Sequence, residues 1–176
     1  MSNFKSKLHK IKAFAFDVDG VLTDGQVLAT ESGDLLRSHN AKDGHAVRAA
    51  ILKKIPIAII TGGSSESIAR RFLQLGIPRE DIYLKSIYKM PDFEDFLKRH
   101  SLLAEEVLFM GDDIPDIGIL KACGIASCPS DAVNEVKNVC HYISINSGGK
   151  GCVRDVIEQT LKVQGLWEEM PEAYSE

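Results

Sequence analysis

The apolar residues of this chain come in short runs, and the longer stretches between them are apolar on one side only. "KAFAFDV" and "IPIAIITGG" read as buried strands, as do the shorter "DIYL", "EEVLFMGDD", "IASC" and "HYISI". Between them, "DGHAVRAAILKK" sets Ala46, Val47, Ala50 and Ile51 at a helical period, with Asp43 at the N-cap position. "SSESIARRFLQLG" reads as a capped helix closed by Gly76, "MPDFEDFLKRH" as a helix with Pro91 near its first position, and "IPDIGILKACG" as a short one. A last helix, "CVRDVIEQTLKV", follows "GGKG". This alternation predicts an α/β protein whose parallel sheet is flanked by helices. "GQVLAT" and "DLLRSH" around "ESG" break the rhythm and predict a protruding β-hairpin over 26–39. The stretch 165–176 is acidic and aperiodic. With no linker or repeat, a single domain over 1–176 is expected, and neither connection after the first two strands has room for a cap domain.

Composition narrows the function classes. The net charge of −4 offers no basic footprint for nucleic acid, so no nucleic-acid partner is expected. No apolar run approaches the roughly 20 residues that span a bilayer, and the basic N-terminus lacks a small-residue cleavage site. Cys123, Cys128, Cys140 and Cys152 form no CxxC pair. They read as reduced thiols of a cytoplasmic protein with no membrane partner.

The polar residues at the strand ends carry the chemistry. The first, second and fourth strands end in "DVDG", "TGG" and "GDD", and such ends converge beside a switch in strand order. Asp17, Asp19 and Asp24 crowd one turn, where like charges repel and burial is costly unless a cation is present. Asp17 with Asp112, and Asp113 beside it, makes a hard oxygen site suited to Mg²⁺. The first aspartate of Asp-x-Asp is placed to attack phosphorus, and Asp19 to serve as acid and base. Thr61 offers a hydroxyl to a phosphoryl oxygen, and a lysine between the second and fourth strands, Lys85 or Lys89, would complete the clamp. The plainer alternative is a solvated acidic turn, with "DDIPD" a turn and helix cap. His39, His45, His100 and His141 lack ligand spacing with the cysteines and read as non-catalytic.

"DVDGVLTD", "IITGG", a lysine and "GDDIPD", in that order, resemble the haloacid dehalogenase superfamily of phosphohydrolases. The resemblance implies a Rossmann-like core, with Asp17 as nucleophile, Asp19 as general acid and base, and Thr61 as phosphate ligand. It also implies Mg²⁺ held by the Asp17 carboxylate, the Asp19 carbonyl and Asp112, with Asp113 and Asp116 orienting their neighbours. Lys89 fits the family's lysine position better than Lys85.

A closer likeness joins "DVDGVLTDG", "HNAKDGHAV", "AIITGGSS", "GDDIPD" and "SGGKGCVRDV" to the small capless branch acting on 3-deoxy-D-manno-octulosonate 8-phosphate (KDO 8-phosphate), a lipopolysaccharide precursor. It implies a small phosphorylated sugar acid as partner and substrate, bound by Asp19, Lys42, Gly44, Gly62, Arg71 and Lys89. It also implies a homotetramer whose subunits complete one another's sites, with the hairpin at the interface and the tail near a neighbour's entrance. Lys42 and Lys150 stand where that branch carries arginine, and lysine lacks the bidentate fork. A nine-carbon sugar-acid 9-phosphate of the neuraminate type is the alternative substrate. A non-catalytic binding module on the same fold is the alternative of another class.

Overall fold

The computed structural model describes residues 4–167. The expected tail falls largely at 168–176, outside the described residues. Six strands form one parallel sheet: β1 (Ala13–Phe16), β4 (Ile57–Ile60), β5 (Ile82–Tyr83), β6 (Val107–Met110), β7 (Ile125–Cys128) and β8 (Tyr142–Ile143). Their order is β5-β4-β1-β6-β7-β8, so the chain runs outward from β1 to β5 and then crosses back to β6. That is the Rossmann order, and the reversal lies between β1 and β6.

Strand alternation explains why "AFAF" is buried throughout. Phe14 and Phe16 point to one face with Ile57, Ile59, Leu108 and Met110, while Ala13 and Ala15 point to the other with Ala58, Ile60 and Phe109. Both faces are covered, so every residue of β1, β4 and β6 is apolar. Helices α1 (Ala41–Leu52), α2 (Glu66–Gln74) and α6 (Cys152–Val163) cover the first face through Val47, Phe72 and Val153. Helices α3 (Lys89–His100), α4 (Ile117–Ala122) and α5 (Asn134–Lys137) cover the second through Phe93, Leu120 and Val136. All four cysteines are free thiols, three of them buried. Among the described residues, no helix is long and apolar enough to cross a membrane.

The structure revises several local expectations. The hairpin is present but short: β2 (Leu28–Ala29) pairs antiparallel with β3 (Leu35–Leu36), two residues on each side. Asp43 does not cap α1. Asn40 does, accepting the Lys42 amide at 2.9 Å, while Asp43 accepts the amides of Arg154 at 2.7 Å and Gly151 at 3.2 Å. Asp43 thus serves the start of α6, a hundred residues on, where backbone donors would otherwise be orphaned. Gly76 does close α2, at φ +94°. The helical turn Phe4–Lys10 and α5 were not legible in the periodicity.

Candidate active site

The loop leaving β1 is tied by its own polar residues. Asp17 Oδ1 accepts the Val18 amide at 2.7 Å, and the Thr23 hydroxyl accepts the amides of Gly20 and Gly25 at 3.4 and 3.3 Å. Gly20 sits at φ +88°, and a Cβ there would collide with the Asp112 carboxylate. The glycine therefore lets the β1 and β6 loops close on each other.

After β4, the Thr61 hydroxyl accepts the Gly63 amide at 3.0 Å. After β6, Asp116 organises the turn: Oδ2 accepts the amides of Asp112 and Asp113 at 3.0 and 3.3 Å, and Oδ1 accepts Lys89 Nζ at 2.7 Å. Lys89 opens α3, is buried, and also lies 3.0 Å from Asp17 Oδ1. Lys85 is exposed at φ 58° and lines no part of the site.

These loops surround a cavity of about 490 Å³ at the carboxyl end of β1, β4 and β6. Asp17, Asp19, Thr61, Gly62, Lys89, Asp112, Asp113 and Asp116 all reach it, so the structure brings together most of the residues singled out in the sequence. It does not bring in Lys42, Gly44 or Arg71. Lys42 is exposed, and Gly44 packs under the Arg71 guanidinium, 2.8 Å from the Cβ it lacks. None of His39, His45, His100 and His141 lines the cavity either.

Two residues of the site, Ser86 in the cavity wall and Arg37 behind Asp19, were not singled out in the sequence. Ser86 is buried with its hydroxyl unbonded. Arg37, from the hairpin, donates from Nε and Nη2 to the two oxygens of Asp19 at 2.6 and 2.9 Å. Serine in a loop carries no period, and Arg37 lies eighteen residues from its partner. The one local clue was a lone arginine among the apolar residues of the hairpin.

The electrostatics favour a cation. Carboxylate oxygens of Asp17, Asp112 and Asp116 lie within 4.8 Å of one another, against the single ammonium of Lys89. Burial, then the charge of Asp116, pushes the Asp17 carboxyl well above its usual range, although Lys89 opposes this. Burial, then the charge of Asp17, raises Asp112 to about 8. Lys89 is held above its ordinary value because Asp17 and Asp116 outweigh its desolvation. Asp112 Oδ1 is buried with no donor among the described residues. An unbonded buried carboxylate oxygen among like charges fits a hard divalent ion, and Asp112 and Asp17 would hold it. Asp116, with its oxygens taken by Lys89 and two amides, anchors rather than ligates.

A family model for haloacid dehalogenase-like hydrolases matches residues 78–156. The 3-deoxy-D-manno-octulosonate 8-phosphate phosphatase of Haemophilus influenzae is 33% identical over 161 residues, covering 92% of this chain and 88% of that protein. The Moraxella catarrhalis phosphatase of the same name, solved with magnesium ion, phosphate ion and KDO, superposes with a TM-score of 0.89 at 32% identity, over 94% of each chain. The Yersinia pestis enzyme gives 0.90 at 28% identity, over 94% of this chain and 88% of that one. The chain belongs to the haloacid dehalogenase-like hydrolases. It is a phosphoric monoester hydrolase, similar over nearly its whole described length to the KDO 8-phosphate phosphatases, and the reading as a non-catalytic module falls away.

Proposed function

We propose that this chain, folded as a single domain, hydrolyses KDO 8-phosphate to the free sugar acid and phosphate, in the cytoplasm and on the way to lipopolysaccharide. The observation that carries the catalytic part is the buried Asp17–Lys89–Asp116 chain beside the unbonded Asp112, at the end of the central strand. Asp17 attacks phosphorus, forming an aspartyl-phosphate and releasing the sugar alkoxide. Asp19 gives that alkoxide a proton and later takes one from the water that cleaves the intermediate.

Lys89 pairs with the phosphoryl charge and fixes the Asp17 carboxylate, whose Oδ1 also accepts the Val18 amide. The Thr61 and Ser86 hydroxyls, with the amide at Gly62, face the same space and donate to phosphoryl oxygens. Mg²⁺, when held by Asp17, Asp112 and the Asp19 carbonyl, neutralises charge between the carboxylates and the phosphate. Asp113 and Asp116 hold the turn that presents Asp112. The substrate follows from the likeness to the Haemophilus and Moraxella enzymes, while Lys42 and Arg71 reach substrate only from a neighbouring subunit and Gly44 serves by leaving room for the Arg71 guanidinium.

The chain works as a homotetramer. The supporting features are the open cavity and a hairpin whose Leu28 is 65% and Leu36 50% exposed. A screen of purified protein with and without Mg²⁺ tests the substrate. It should give the highest kcat/KM on KDO 8-phosphate, above the nine-carbon 9-phosphates and simple sugar phosphates. A higher value on a nine-carbon acid would overturn the eight-carbon assignment.

A further inference from the structure

Arg37 stands one residue past β3 with only 7% of its side chain exposed. Its Nε and Nη2 meet the two oxygens of Asp19 as a fork, and Nη1 donates to the Leu35 carbonyl at 3.3 Å, so the hairpin's own backbone aims the guanidinium. Asp19 has little else to hold it. The nearest other side-chain donor is the Thr23 hydroxyl, 3.5 Å from Oδ1, and 32% of the Asp19 side chain is open.

The contrast with Asp17 is direct: that carboxylate is fixed by the adjacent amide and by Lys89, both from the body of the protein. Gly63 borders the guanidinium, since a Cβ there would lie 3.6 Å from Nη2 and 2.7 Å from Ile68, and a longer side chain would press on the pair.

We propose that Arg37 is the positioning residue of Asp19, holding its carboxylate toward the leaving oxygen and thereby making acid–base catalysis depend on where the hairpin sits. The inference rests on the acid–base role given to Asp19 above. Each carboxylate oxygen keeps a second lone pair when paired with arginine, so the contact orients Asp19 and still leaves it able to exchange a proton. Arg37 itself touches Asp19 and not the reacting atoms. A hairpin fastened to the body by a merely structural ion pair would show no preference among leaving groups, and that difference is measurable.

The experiment compares wild type, Arg37→Lys, Arg37→Gln, Asp19→Asn and the double variant Arg37→Gln/Asp19→Asn, with Mg²⁺. The substrates are a sugar phosphate that the wild type hydrolyses and p-nitrophenyl phosphate. Nitrophenolate leaves without a proton, so its first-turnover release bypasses the acid. Arg37→Gln should lower kcat on the sugar phosphate about 10- to 100-fold with KM within about threefold, and slow nitrophenolate release less than about threefold. Arg37→Lys should recover part of the loss, and in the Asp19→Asn background Arg37→Gln should cost less than about twofold. Equal losses on both esters, an effect on KM alone, or additive losses in the double variant would overturn the proposal. Melting curves accompany every variant, and if Arg37→Gln melts below the assay temperature the leaving-group pattern of Arg37→Lys decides. Any alkyl phosphate that is turned over serves, so inactivity on KDO 8-phosphate would defeat the substrate reading and leave this test intact.

Discussion

At the carboxyl end of the sheet, Asp17, Lys89 and Asp116 are buried and bonded to one another, whereas on the hairpin Leu28, Leu35 and Leu36 stand in solvent. Each region breaks the usual partition of polar and apolar groups, in opposite directions. The first buries more carboxylate charge than Lys89 balances among the described residues, which suits a divalent ion. The second exposes apolar side chains that a fold of this size could have covered, as the proposed interface requires. Catalytic electrostatics are assembled within one chain, and in the proposed tetramer enclosure would come from assembly. Arg37 is the one residue that belongs to both, rooted in the hairpin and bonded to the site.

The sharpest cut at this comparison is Asp17→Asn. It should lower kcat by on the order of 10⁴-fold or more, as loss of a nucleophile does, while far-UV circular dichroism is unchanged and the melting temperature holds or rises. A rise is expected because the amide relieves a desolvated charge beside Asp116. Retained turnover would remove Asp17 from its role.

Next in size, Lys89→Ala should cost about 10²- to 10³-fold in kcat and lower stability, since Asp17 and Asp116 lose their buried counter-ion. Exposed Lys85→Ala serves as its control and should stay within about twofold of wild type. The reverse ranking would reassign the clamp.

On the hairpin, Leu28→Ser with Leu36→Ser should leave the folded monomer's melting curve nearly unchanged, because neither side chain is in the core. Light scattering should show dissociation, with kcat/KM down about tenfold as the mouth opens to water. A tetramer that persists in this variant would move the interface elsewhere.

The smallest effect is one of pH. Burial and the charge of Asp17 raise the Asp112 carboxyl from 3.8 to about 8, so between those values the folded protein keeps a proton that the unfolded chain has released. The stability this gives is complete below the lower value and is lost as pH climbs to the upper one. Mg²⁺ competes with that proton. The rise in melting temperature on adding it should therefore be a few degrees larger at pH 8 than at pH 5.5. Equal shifts would place the ion away from this cluster.

Legibility followed the range of the interactions. β1, β4 and β6 could be read because burial on both faces demands uninterrupted apolar runs, and their last residues marked where carboxylates gather. Asp43 was misassigned because its position fits a local cap, while the amides it serves belong to Gly151 and Arg154. The pairing of Arg37 with Asp19 is of the same kind, set by how the hairpin folds back. Asp116 was placed at the site, but its three donors come from two different elements, and only the closed turn shows that it anchors. Gly44 and Arg71 do meet, against each other and away from the cavity.

The central place of β1 has a consequence for how the protein is made. This strand leaves the ribosome before both of its partners, Ile57–Ile59 on one side and Val107–Met110 on the other. At about 5–20 residues per second, the second partner emerges some seconds later. Closure waits longer still, for Gln164, whose amide donates to the carbonyls of Leu8 and Ile11 at 2.9 and 2.7 Å. During that interval "AFAF" is an uncovered apolar strand with two open edges, the kind of segment that holdase chaperones shield. Asp17, at its end, thus waits for Lys89 to be made before its carboxylate has its buried ammonium partner.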